Sequence, residues 1–166
     1  MKKGRNLFVA CIACVVSVGG ILYGYDLGVI SGALLFIRNS IPMSDTQIGM
    51  IVGAVLAGGL VGTLLAGPIA DWFGRRFLIL VSSVIFLFGI GSILLSHSFM
   101  TVLLARLLLG VGVGVVAVAV PLYVAEIVPS EDRGKYVTFF QLLLTFGIVL
   151  AYFVDLLFTP SGNWRG

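Results

Sequence analysis

The sequence predicts an all-α membrane protein with five transmembrane helices, and three observations carry that prediction. Of 166 residues, 60% are hydrophobic and 10% charged, whereas a soluble domain is about half apolar and about a quarter charged. A chain this poor in charge cannot cover a water-facing surface, so lipid must be its solvent. Five apolar stretches reach the roughly 20 residues that cross a bilayer as a helix. The lysines and arginines gather at alternate turns between those stretches, which is a topology signal. The net charge of +3 therefore does not point to nucleic acid, and no basic stripe with interleaved aromatics is present to bind one.

Helix 1 is expected over residues 7–37. The opening Met1-Lys2-Lys3-Gly4-Arg5 before apolar residues looks like a signal peptide. The apolar run is far longer than a usual signal core of about 7–15 residues, however, and no small-x-small site ends it. Cys11 and Cys14 form a C-x-x-C within this helix. With no second pair and no nearby His they lack a zinc ligand set, and they are read as packing residues. The segment 41–47 breaks the chain, and Ser44 with Gln47 predicts a capping box opening helix 2 at 46–70. Helix 3 follows at 77–95, and Ser96-His97-Ser98 separates it from helix 4 at 99–128. Pro129-Ser-Glu-Asp-Arg-Gly134 leads to helix 5 at 136–158.

With the N-terminus inside, the inner segments hold Lys2, Lys3, Arg5, Arg75, Arg76, Arg133 and Lys135, against Arg38 and Arg165 outside. The expected orientation is a cytoplasmic N-terminus in the cell (inner or plasma) membrane. Many of the 22 glycines fall on helix faces. Gly49-x3-Gly53 and Gly58-x3-Gly62 have the spacing that lets helices approach closely in lipid. Gly110, Gly112 and Gly114 resemble a dinucleotide loop only superficially; no strand precedes them, so they too are read as packing.

Ionisable groups within a span are expensive and usually functional. Asp26 in helix 1 and Arg106 in helix 4 lie at roughly 17 and 11 Å from the outer face, counting about 1.5 Å per residue. An arginine side chain bridges that difference, so the two are expected to pair or to share a polar cavity. A static pair that merely orders the bundle is the plain alternative. Apolar packing could replace such a pair at little loss, which favours a working role: a carboxylate that loses its arginine in apolar surroundings is easier to protonate. Gln141 in helix 5 offers donors and an acceptor suited to a polyhydroxylated ligand, or to a helix–helix hydrogen bond. Tyr23, three residues before Asp26, is expected on the same side of helix 1. Asp155 is expected to reach the interface, with no role.

Gly67-Pro-Ile-Ala-Asp71-Trp-Phe-Gly74-Arg75-Arg76, placed between helices 2 and 3, resembles the G-x-x-x-D-x-x-G-R-[RK] signature of the major facilitator superfamily. Pro121-Leu-Tyr123-Val-Ala-Glu126-Ile-Val-Pro129-Ser-Glu-Asp-Arg133-Gly134 is similar to the P-x-Y-x-x-E-x-x-P-x-x-x-R-G pattern of its sugar porter branch. Gly24-Tyr25-Asp26, Ile30-Ser31-Gly32, the Arg106-x3-Gly110-x-Gly112-x-Gly114 run and Trp164-Arg165 add to the likeness. The resemblance implies a twelve-helix transporter of two six-helix halves that rock about a central sugar site. This chain would be the N-terminal portion, an incomplete six-helix half lacking helix 6.

The same resemblance implies that Asp26 and Arg106 couple protons to transport and that Gln141 touches sugar hydroxyls. Tyr23 stands where the family usually has Phe. It further implies that Gly67, Asp71, Gly74, Arg75, Arg76, Glu126, Arg133 and Gly134 belong to a cytoplasmic gating network. Expected partners are a small sugar and membrane lipid, with a separate chain carrying the remaining helices as a further candidate and no nucleic acid. The coupling ion is a proton, with no cofactor or metal. The expected activity is sugar–proton symport; a truncated or split-gene remnant without transport of its own, and a facilitative sugar or polyol carrier, are the alternatives. Nothing supports an enzyme: no nucleophile–base pair, metal cluster or phosphate loop is present, and the one histidine, His97, lies in a short turn.

Overall fold

The computed structural model describes residues 11–40 and 44–158, the side chains of residues 31 and 33–40 excepted. Five long helices follow in order: α1 (Gly19–Ser40), α2 (Asp45–Phe73), α3 (Arg75–Leu94), α4 (Phe99–Ile127) and α5 (Arg133–Phe158). Each region is long and apolar enough to cross a membrane, as expected. Residues 11–17 are also helical and join α1 through a turn at Val18. There the Val18 N–H is shared between the carbonyls of Cys14 and Val15, both at 3.2 Å, and the Ile21 N–H bonds the Val18 carbonyl at 2.9 Å. Ser17 donates back to the Ala13 carbonyl at 2.7 Å, and Gly19-Gly20 follows; serine back-bonding and paired glycines both loosen a helix. Helix 1 is thus locally tightened at Val18 yet remains one apolar span, and residues 7–10 of its expected range lie outside the described residues.

The predicted capping box is present: Ser44 accepts from the Gln47 N–H at 3.3 Å, and the Gln47 side chain accepts from the Ser44 N–H at 2.9 Å. Ser98 and Thr101 form a second box that opens α4. Besides α1, which runs to Ser40 where 37 was expected, two boundaries differ from expectation. The stretch from Asp71 to Arg76 is not a loop: α2 runs to Phe73 and α3 starts at Arg75, leaving Gly74 alone at φ 85°, ψ 155°. Polar residues there mark the wet ends of helices, not a break in them. Likewise α5 begins at Arg133 instead of 136, because the turn before it supplies early bonds; the Lys135 N–H reaches the Asp132 carbonyl at 3.0 Å.

The helix α4 stands at the centre. Val102, Leu109, Val113, Val116, Val120 and Val124 are all buried, and a helix that is apolar all round is a buried one. It packs parallel to α2 and antiparallel to α3, while α1 and α5 form a second parallel pair. Close backbone approach builds both parallel pairs. A Cβ on Gly58 or Gly62 would run into the α4 carbonyls of Leu107 and Val111, and one on Gly24 into the Leu144 carbonyl of α5. Gly49 and Gly53, by contrast, face open space, so only the second of the two predicted glycine spacings makes a helix contact here. The outer faces carry Leu56, Leu64 and Leu87, each about two-thirds exposed or more, as lipid contact requires.

These positions give three stability predictions, all measured by thermal unfolding in lipid-like detergent. Gly58→Ala should destabilise by about 1–3 kcal/mol through overpacking, whereas Gly49→Ala should be neutral or stabilise by about 0.5–1 kcal/mol. Gly74→Ala should cost about 1–3 kcal/mol, since its backbone conformation is open only to glycine.

Candidate functional site

Three groups of polar side chains sit on this scaffold. The first is the expected pair. Arg106, in the second turn of α4, donates from Nη1 to Asp26 Oδ1 of α1 at 3.4 Å. Both side chains are buried, 3% and 10% exposed. The bond is long, and it leaves Asp26 Oδ2 and Arg106 Nε buried without a hydrogen-bond partner among the described residues. An ion pair held this loosely in an apolar interior is costly, because desolvation of both charges is only partly repaid. The pair lines a cavity of about 680 Å³ between α1, α3 and α4, together with Tyr25, Ser82, Ser83, Val116 and Val120. Its walls are mostly apolar. The two serine hydroxyls donate to the Ile79 carbonyl of their own helix, and among the described residues that line the cavity Asp26 is the one carboxylate.

The second group is a groove of about 510 Å³ lined by Tyr23, Ala117, Pro121, Thr138 and Gln141. Here the structure brings Tyr23 and Gln141 together, but it parts Tyr23 from Asp26. Residues three apart are turned by about 60° around a helix, and α4 wedges into that angle. It presents Val116 and Val120 to one cavity and Ala117 and Pro121 to the other. Pro121 has no N–H, so the Ala117 carbonyl one turn earlier lacks its usual helical donor and adds an acceptor to the groove. Gln141 is exposed on α5, free to meet a ligand.

The third group ties the adjoining ends of α2, α3 and α4. Arg75 is its hub: Nη2 lies 3.1 Å from Asp71, Nε 2.8 Å from Glu126, and Nη1 donates to the Ala70 carbonyl at 3.0 Å. Neighbouring Arg76 donates from Nε to the Tyr123 hydroxyl at 3.1 Å, and its guanidinium stands 5.9 Å from that ring's centre. Two cations in the first turn of α3 oppose the helix dipole, and these partners offset that. Arg133 is placed otherwise. Its Nε donates to the Val128 carbonyl at 3.3 Å, finishing α4. Gly67 and Gly134 meet no neighbour, and nothing in the structure explains a glycine at either place.

Sequence reasoning missed Tyr123 as the partner of Arg76, although its position three residues before Glu126, one turn earlier on α4, was a usable signal. Nor did it suggest that Asp155, partly exposed near the end of α5, also lies with its carboxylate against the backbone of Gly32 on α1.

Compared with known proteins, residues 12–166 match the sequence model of the family described as sugar (and other) transporter. A D-xylose transporter of Levilactobacillus brevis is 43% identical over 90% of this chain and 32% of its own length. The arabinose-proton symporter of Escherichia coli is 34% identical over 98% of the chain and 34% of its own length. Among solved structures, the proton:xylose symporter XylE of the major facilitator superfamily, bound to 6-bromo-6-deoxy-D-glucose, superposes with a TM-score of 0.86. It is 28% identical, with 97% of this chain and 41% of that one covered. The chain thus spans about a third of the length of the curated relatives it matches.

The buried pair yields a double-mutant test by thermal unfolding. Arg106→Leu alone should destabilise by about 3–5 kcal/mol, because it leaves Asp26 buried and uncompensated, while Asp26→Leu with Arg106→Leu should recover most of that loss.

Proposed function

Because the chain belongs to the sugar (and other) transporter family, we propose that it supplies the first five helices of a secondary active sugar transporter that couples sugar uptake to protons. The observation that carries this reading is the buried, loosely held Asp26–Arg106 pair beside a cavity. A facilitative carrier does not require a titratable carboxylate at that depth. A symporter needs one group whose charge changes when the coupling ion binds. While Asp26 is ionised, Arg106 holds it and draws α1 toward α4. Protonation removes the charge, weakens that attraction and lets α4 shift against α1.

The same α4 carries Pro121 and Ala117 into the groove with Tyr23 and Gln141, so a shift of α4 reshapes the sugar-facing wall. Gln141, the Tyr23 hydroxyl and the free Ala117 carbonyl together offer donors and acceptors to sugar hydroxyls, and the Tyr23 ring offers an apolar face. In this reading the N-terminus is cytoplasmic, as the loop cations favour. The Asp71–Arg75–Glu126 cluster with Arg76 and Tyr123 then lies at the cytoplasmic ends of α2, α3 and α4. Exposed ion pairs of this kind contribute about 0–1 kcal/mol each, small enough to make and break in each transport cycle.

The test joins this chain to the downstream helices of the Levilactobacillus D-xylose transporter and reconstitutes the product in proteoliposomes. Asp26→Asn should still exchange sugar across the membrane but should not concentrate it under a proton gradient. Undiminished accumulation by that variant overturns the coupling role. Gln141→Ala should raise the KM for sugar several-fold with the proton dependence unchanged.

A further inference from the structure

The groove lined by α1, α4 and α5 holds a hydroxyl that sequence reasoning did not single out. Thr138 lies in the second turn of α5, one turn before Gln141, and lines the same groove. Residues three apart on a helix are neighbours on one face, with Cβ atoms about 5–6 Å apart. Both of these side chains are exposed, whereas Val137 is partly buried and Phe140 and Leu144 are buried along the same wall. The α5 wall therefore has an apolar floor and a rim of two polar groups. Pockets for polar ligands are built this way, with few hydrogen-bonding groups set on an apolar lining.

A hydroxyl on an apolar helix can satisfy itself on a carbonyl of the preceding turn. Ser17, Ser82, Ser83, Ser92 and Thr145 all do so, three or four residues back. Thr63 crosses to the Gly114 carbonyl of α4 instead. Thr138 has Gly134 one turn behind it within α5, yet among the described residues its hydroxyl makes no hydrogen bond. It keeps one donor and its acceptor capacity for whatever enters the groove. Branching at Cβ limits its rotamers, so little freedom is lost when that bond forms.

Resting on the reading of this groove as the sugar-facing wall, we propose that Thr138 is a specificity-determining residue that hydrogen-bonds a second sugar hydroxyl beside the one held by Gln141. The apolar floor takes the C–H face of the ring, and the rim takes two hydroxyls on one edge. The ligand class is then a sugar that presents neighbouring hydroxyls to the same side. A Thr138 that merely faced water would leave sugar selection untouched.

Thr138→Val tests this, because it keeps the branched shape, removes only the hydroxyl and breaks no internal bond. In proteoliposomes of the joined transporter, the probes are D-xylose and analogues of it that each lack one hydroxyl. Thr138→Val should raise the KM for D-xylose about 2–10-fold, the worth of one neutral hydrogen bond, with kcat and the dependence on external pH unchanged. Thr138→Ser should restore most of the affinity. The one analogue that lacks the hydroxyl held by Thr138 should show the same KM in wild type and Thr138→Val. A wild-type KM for D-xylose in Thr138→Val overturns the proposal. So does a KM raised by the same factor for every analogue, which would mean that the variant loosens the groove as a whole. Gln141→Ala separates this assignment from the reading beneath it. If that variant also leaves the KM unchanged, the groove is not the sugar-facing wall and both fall. If it raises the KM while Thr138→Val does not, only the role of Thr138 falls.

Discussion

In lipid, apolar side chains gain little by leaving acyl chains for one another, so helices adhere by close backbone approach and by polar groups that have no better partner. Both devices converge on α4 here. Gly58 and Gly62 let α2 lie directly against its carbonyls, and Arg106 binds it to α1 through Asp26. The α1–α5 pair repeats the glycine device at Gly24. The bundle is therefore two close-packed helix pairs, with α3 packed on α4. The sparsely packed connection between α1 and α4 carries the buried ion pair.

That arrangement makes α4 a lever between two cavities. Adjacent residues on it, Val116 with Ala117 and Val120 with Pro121, face opposite sides. A small rotation or bend of α4 must change both volumes together. Proline within the helix removes one hydrogen bond where a bend would be needed. The glycine contacts with α2 resist separation of the helices but present little side-chain relief against sliding. Packing, rather than any direct contact between Asp26 and Gln141, connects the acid to the groove.

Much of this was legible in the amino-acid sequence. Five apolar runs can only be five helices in lipid, because each backbone polar group must be satisfied within its own segment. The Ser44–Gln47 box was readable from spacing alone, and the Asp26–Arg106 pair followed from depth. What stayed hidden depends on angles and ends. Asp71 to Arg76 looked like a loop because charge at a membrane edge and charge in a turn read alike. Tyr23 and Asp26 share a face by spacing, but the wedge of α4 between them exists only in three dimensions. The contact of Asp155 with Gly32 stayed hidden because nothing in α5 itself points to the gap that Gly32 leaves in α1.

The distribution of charge then acquires a mechanical sense. Pairs at the wet helix ends, such as Arg75 with Asp71 and Glu126, lose little when parted, since water replaces each partner. The buried pair is different: parting it leaves two desolvated charges, at a cost of several kcal/mol per ion. In the symport reading proposed above, movement at the core would be opposed while Asp26 is ionised and eased once a proton weakens its hold on Arg106, whereas the end cluster could follow either state. In that same reading, one expensive contact would hold a transport cycle and several cheap ones would latch it. This segment keeps the expensive contact between α1 and α4, the two helices that line both cavities.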